Sequence, residues 1–263
     1  MLLSNNINKD DFDKTLLIRT LYYSYLYQYF INNGFDENKI AQIDNGSFSN
    51  KFYKYLINVE RMLGRTYSDY LDYVKDKPYL NIWQYDSVEG KIDDKKAILT
   101  ITYPETRFQF GYLISKQNSK SVFARIRRLQ RLLDSKYKLI FEVNLSDNGP
   151  EFARFHELEN DEFGLPMVKM FFTNPYRSTD KASCERNHEF IRYIIPKGKS
   201  LDFLTQEKVN LMFSHINSYV RLSNQNKTPY ELTLEKFGEE FMQIVGIKAI
   251  RSKDVCLKPY LVR

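Results

Sequence analysis

The run Leu145-Ser146-Asp147-Asn148-Gly149-Pro150-Glu151-Phe152 joins a segment of strand period to one that begins like a helix. Upstream, Leu139, Phe141, Val143 and Leu145 alternate with Ile140, Glu142 and Asn144, the period of two that a half-buried strand requires. Asn148-Gly149 is a turn signal, and Pro150 suits a first helical position, where its missing N–H costs nothing. The sequence predicts a strand over residues 139–145 that stops at Asp147, with the carboxylate held at the strand's mouth. Asp before Asn-Gly is also common in ordinary turns, so the octapeptide gains chemical meaning only from partners elsewhere.

Two other carboxylates are the candidates. Asp86, in Asn81-Ile82-Trp83-Gln84-Tyr85-Asp86-Ser87-Val88, shares strand parity with Leu80, Ile82 and Val88. A lone ionised group among apolar neighbours is costly unless something cationic meets it. Glu185, in Lys181-Ala182-Ser183-Cys184-Glu185-Arg186-Asn187-His188-Glu189, leads into a helical pattern carrying Phe190, Ile191, Ile194 and Ile195. Taken alone, an acid in a first helical turn is also what the macrodipole favours.

The intervening segments supply a topology. Residues 97–101 and 108–114 read as strands about a turn centred on Pro104. Val122, Ile126, Leu129 and Leu133 recur at helical spacing, which makes that segment a crossover helix. Residues 167–172 read as another strand. The resulting order, β-β-β-α-β-α-β-α, is a mixed sheet with helices on its faces.

The ordered set WQYDSVEG, LSDNGPEF and KASCERNHEFIRYIIPKG, followed by LTQEKVNLMFSHINSY and NKTPYEL, resembles the integrase-core (DDE) transposases of bacterial insertion sequences, more narrowly the insertion-sequence thirty group. The match runs from about Leu80 to Lys258. It implies an α/β fold with an RNase H-like core, a mixed five-stranded sheet with helices on both faces, plus an N-terminal helical region. The implied divisions are 1–79, helical; 80–222, catalytic core; and 223–263, a C-terminal extension. Asp86, Asp147 and Glu185 match the family's three acids, separated by 61 and 38 residues.

The resemblance further implies a DNA transposase that cleaves phosphodiesters at transposon ends and transfers the freed strands into target DNA. Two Mg²⁺ or Mn²⁺ ions would be held by the three acids, and a homo-oligomer is expected on the DNA. Lys181 is similar to the basic residue that precedes the family's third acid, and His188, three residues past Glu185, reaches toward the same side of the helix. Arg186 departs from the pattern, standing where Asn usually follows the acid. An arginine there either reaches a DNA phosphate or folds back onto Glu185, so the alternative is a catalytically silent relative that binds DNA or a transposase.

Charge is compatible with a polyanionic partner: 39 Lys and Arg stand against 33 Asp and Glu, net +6. The excess is local, with Lys120, Arg125, Arg127, Arg128, Arg131, Lys136 and Lys138 facing the single acid Asp134 across the crossover helix and its flank. Such a face either follows phosphates without reading sequence or is simply solvated. In the first eighty residues, Leu16, Leu17, Leu21, Tyr25 and Tyr29 suggest a helix, as do residues 52–62 and 67–74. Val209, Met212, Phe213, Ile216 and Val220 make another helical stripe, and residues 226–231 read as a turn.

Composition bounds the remainder. A hydrophobic content of 43% supports a real core. There is no signal-peptide pattern or long apolar run, which makes a membrane partner unexpected. Two cysteines without a CxxC spacing argue against a zinc site or disulfide framework and fit a reducing cytoplasm. A DNA partner would place a bacterial protein of this kind with the nucleoid.

Overall fold

In a computed structural model of the chain, the residues described are 64–116, 118–174, 182–221, 224 and 226–262. Residues 61–263 make one compact unit and residues 1–60 another, and the account concerns the first of these. The helices expected around Leu16 to Tyr29 and over 52–62 lie outside the described residues, as does Lys181.

The unit begins with helix α1, Tyr67–Val74, started by a capping box: Thr66 Oγ1 accepts from the Asp69 amide while Asp69 accepts from the Thr66 amide. Strands β1 (Ile82–Glu89), β2 (Lys96–Tyr103) and β3 (Phe108–Ser115) follow as an antiparallel meander. The crossover helix α2, Ser119–Leu133, is capped by Asn118 and buries Val122, Ile126, Leu129 and Leu133, the expected stripe. Then come a short helix α3 (Tyr137–Ile140), strand β4 (Val143–Ser146), a 3₁₀ turn over Pro150–Phe152, helix α4 (Phe155–Glu159) and strand β5 (Lys169–Phe172). Helices α5 (Ala182–Ile194), α6 (Gln206–Asn217) and α7 (Pro229–Val245) complete the unit.

The five strands form one sheet in the order β3-β2-β1-β4-β5, with β4 parallel to both β1 and β5. This is the mixed α/β arrangement of an RNase H-like core. Alternation along β1 sorts the sheet into two unlike faces. Trp83 and Tyr85 point to an aromatic face, where Trp83 meets Tyr103, Phe110 and Phe141 and, from α7, Phe237 and Phe241. The indole N–H donates to the Ile140 carbonyl at 2.7 Å, so burying the ring strands no polar group.

The opposite face is lined with polar groups near its centre. Register sets Gln84 beside Thr102 and Asp86 beside Thr100, and Gln109 Nε2 donates to Thr102 Oγ1 at 2.9 Å. Helix α6 seals this face over β3: Asn217 accepts from the Gln109 amide at 2.9 Å and donates to the Gln109 carbonyl at 2.6 Å. Farther across, Val143, Leu145 and Phe171 pack with Tyr67 and Tyr70 of α1. Helices therefore cover both faces.

Two expectations need correction. The strand predicted over residues 139–145 begins only at Val143, because Tyr137 and Ile140, three apart, both turn into the core as helix α3 while Leu139 is 64% exposed. Phe141 joins the aromatic face and Val143 the other, so their shared parity was accidental. The turn read over 226–231 is the start of a helix, with Thr228 and Glu231 forming a capping box around Pro229. Helix α7 belongs to the core through Phe237 and Phe241, and α1 packs on β5 through Tyr70 and Phe171, 5.7 Å between rings. Packing against the sheet thus continues on both sides of residues 80–222.

Candidate active site

The parallel register between β1 and β4 ends at Gln84 opposite Leu145. Two residues further along stand Asp86, inside β1, and Asp147, one residue past the end of β4, each with the parity of the polar-face residue that precedes it by two. Asp86 is half-buried, and its Oδ1 accepts from the Ser87 amide at 2.8 Å. Asp147 is also half-buried, and its Oδ1 accepts from the Gly149 amide at 3.0 Å. That bond is the Asn-Gly turn at work: it bends the chain immediately after β4 and keeps the carboxylate at the strand end.

Helix α5 crosses this face. His188 Nε2 lies 3.0 Å from Thr100 Oγ1, and Thr100 is the cross-strand neighbour of Asp86. The Asn187 amide donates to the Arg107 carbonyl at 3.1 Å, pinning the same turn of the helix to the β2–β3 connection. Glu185 lies in α5 one turn before His188. The side chains of Glu185 and Arg186 are outside the described residues, and so is Lys181.

Another acid, Glu151, lies close to Asp147 and was not singled out in the sequence. It is 6% exposed, and its Oε1 accepts from the Ser87 hydroxyl at 2.5 Å. A methyl group placed on Gly149 would stand 2.5 Å from Glu151 Oε2 and 3.0 Å from Asp147 Oδ1. The two carboxylates therefore flank the same glycine, and Ser87 ties the 147–151 turn back to the residue after Asp86. The available signal was Pro150, which starts a 3₁₀ turn and folds Glu151 back rather than along a helix. Asp86, Asp147 and Glu151 are all hard oxygen donors of the type that suits a divalent cation. Among the described residues, no group of three or more His, Cys, Asp or Glu is placed to hold a metal.

The basic stripe of α2 lies on the other side of the sheet, above the aromatic face. Lys120, Arg128 and Arg131 are exposed there. Arg125 Nε donates to the Leu113 carbonyl at 3.2 Å, and Arg127 donates to the carbonyls of Glu157 and Asn160 at 3.1 and 3.0 Å. Arg131 pairs with Glu162 at 2.9 Å. Arg127 thus satisfies the last carbonyls around α4, an internal role the charge count did not reveal.

No protein-family model matches the chain. Over 167 residues it is 26% identical to the transposase for insertion sequence element IS4351 of Bacteroides fragilis, covering 64% of this chain and 46% of that protein. Over 197 residues it is 23% identical to the probable transposase for insertion-like sequence element IS1161 of Streptococcus salivarius, covering 74% and 54%. A solved structure that resembles it is the catalytic core domain of BIV integrase, with 24% identity, a TM-score of 0.42, and coverage of 59% of this chain and 95% of that one. The chain spans about half the length of the curated relatives it matches. Both sequence relatives carry the name of a transposase of an insertion sequence or insertion-like sequence element, one of them as a probable one.

Proposed function

We propose that the chain carries the catalytic core of a DNA transposase of the insertion-sequence thirty type, cleaving phosphodiesters at transposon ends and joining the freed 3′ ends to target DNA as a homo-oligomer. The observation that supports this best is the register that brings Asp86 and Asp147 to one face of neighbouring strands beneath α5. Glu185 is the third acid in this reading. The donor set fits Mg²⁺ or Mn²⁺, and such ions when bound supply activation of the attacking oxygen and neutralisation of the leaving one.

The chain's own groups then position DNA. Asp86, within β1, and Asp147, just past β4, each accept a hydrogen bond from a backbone amide, so their carboxylates need little reorganisation to act as ligands. Lys181, Arg186 and His188, near the start of α5, are placed in sequence to meet phosphates next to the acids. The exposed Lys120, Arg128 and Arg131 on the other layer meet a different stretch of duplex and add affinity without base reading. Arg186 beside Glu185 favours one second reading, a silent relative in which the guanidinium occupies the carboxylate.

Nicking of supercoiled DNA in Mg²⁺ or Mn²⁺ tests the proposal. The wild-type chain is expected to nick and Asp147→Asn to lose that activity while keeping its thermal transition. Metal-dependent nicking that survives in Asp147→Asn refutes the assignment. A wild-type chain that is inert but gains activity as Arg186→Asn establishes the silent reading.

A further inference from the structure

The polar face holds a second unusual group. Arg221, just past α6, is only 6% exposed, yet its Nε and Nη2 have no hydrogen-bond partner among the described residues. Its guanidinium lies 3.6 Å from the centroid of the Phe190 ring and 5.4 Å from that of Tyr219. Stacking of this kind orients the plane of the fork but leaves its N–H donors unspent. Its nearest influential charge is of like sign: burial and then Arg107 pull its pKa down to about 10, so it stays protonated at neutral pH.

Arg107 itself is fixed in place. It sits in the β2–β3 connection with φ of 61°, a left-handed backbone unusual for arginine. Its carbonyl accepts from Asn187 of α5, and the carbonyl of the preceding Thr106 accepts from Asn224 at 3.0 Å. The backbone amide of the same Asn224 donates to the Arg221 carbonyl at 2.9 Å, so one residue ties the segments that carry both arginines, and a buried guanidinium with donors unanswered among the described residues is a liability for a folded chain alone. The two arginines make sense once an anion with several acceptor oxygens is shared between them, and a phosphodiester offers the match to the arginine fork.

We propose that Arg107 and Arg221 form a phosphate-binding site for the DNA backbone, a contact that rests on the transposase reading above. Both arginines are anchored to α5, Arg107 through Asn187 and Arg221 through Phe190. Phe190 lies five residues beyond Glu185, about 7.5 Å along the helix axis at 1.5 Å per residue. The site fixes register on a DNA strand and reads no base.

The test measures binding of a labelled duplex of arbitrary sequence at several salt concentrations, together with thermal stability. Arg107→Asn suits the left-handed backbone, and Arg221→Met keeps the packing on Phe190 while removing a buried charge. Each is expected to weaken duplex binding about three- to tenfold at low salt and to reduce the slope of log affinity against log salt by about 0.9. Arg221→Met is expected to keep or raise the wild-type melting temperature. A wild-type chain that binds duplex no more tightly than either variant overturns the site while leaving the transposase reading intact. So does a result in which inorganic phosphate stabilises the wild type but duplex affinity is the same in all three chains. A wild-type chain that binds no duplex refutes the transposase reading and the site together. A large loss of stability in Arg221→Met with unchanged duplex affinity shows a structural clamp instead.

Discussion

Gly149→Ala perturbs the candidate site without removing any acid. At Gly149 φ is −56° and ψ is 148°, ordinary values for alanine, so the backbone is not strained by the change. The new methyl would stand 2.5 and 2.7 Å from the Oε2 and Cδ of Glu151, against 3.4 Å for ordinary contact. Glu151 must therefore retreat by roughly 0.7–0.9 Å or the turn must shift, and either movement breaks the 2.5 Å bond from Ser87. A hydrogen bond to a charged group contributes about 1.5–3 kcal/mol. At about 2–4 °C per kcal/mol for a unit of this size, the melting temperature is expected to fall by about 3–12 °C. Displacement of Asp147 by a sizeable fraction of an ångström is expected to cut metal-dependent nicking by up to about 10²-fold. Calorimetry and plasmid nicking measured on one preparation check both numbers. Adding Glu151→Ala opens room for the methyl, so the double variant is expected to recover part of the activity, a coupling of the kind neighbouring residues show. Wild-type stability and nicking in Gly149→Ala would refute the close approach of Glu151 to Asp147, and with it the claim that this turn sets the carboxylate's position.

Arg65→Ala removes a bidentate partner from Glu159, whose carboxylate is bonded at 3.1 and 2.7 Å and also accepts from the Met170 amide. Leaving that buried carboxylate unpaired is expected to cost about 3–5 kcal/mol in urea unfolding, and a loss below 1 kcal/mol would show that water replaces the arginine. Lys120→Glu combined with Arg128→Glu is expected to lower duplex affinity and its salt dependence while sparing nicking at saturating DNA. Arg127→Glu should chiefly destabilise α4, and equal effects of the two changes on binding would contradict the different roles given to these cations. Burial holds His215 below its ordinary pKa, partly offset by Asp254, and its Nδ1 accepts from the Cys256 amide at 3.0 Å. Because the unfolded chain takes up the proton first, stability is full above about pH 6.5 and falls as pH drops through the lower folded value. His215→Gln should flatten urea midpoints in that window, and an unchanged slope would exclude this histidine as the source.

The strands of the meander, the crossover helix and α6 were legible because each buries a single stripe or one clear face, and hydrophobic period reports that directly. Periodicity failed where two burial patterns overlapped. Around Tyr137 to Leu145 a helical turn and a strand abut, and apolar residues from both faces produced a false alternation. Helix α7 was hidden because Gly238, at φ of 81° and ψ of 171°, interrupts its pattern. The positions of Asp86 within a strand and of Asp147 just past one were readable from parity and turn chemistry, each a local property. Glu151 and Arg221 were not, since their importance comes from contacts at long sequence separation, with Ser87 for one and with Phe190 and Arg107 for the other. The charge count on α2 showed the cations but could not show which had already been taken by backbone carbonyls.

The chain has one tryptophan, and the sheet places it on the layer away from the acids. With no solvent contact and the rings of α7 over it, Trp83 makes the protein's intrinsic emission a reporter of one event, the docking of the C-terminal helix onto the aromatic face. Emission should begin in the blue and move red when Phe237 and Phe241 lift away. Changes at the carboxylates or at Arg221 leave this signal quiet unless they reach through the sheet. Optical unfolding and plasmid nicking thus watch opposite sides of the same five strands, and the difference between their midpoints measures how tightly the two layers are coupled.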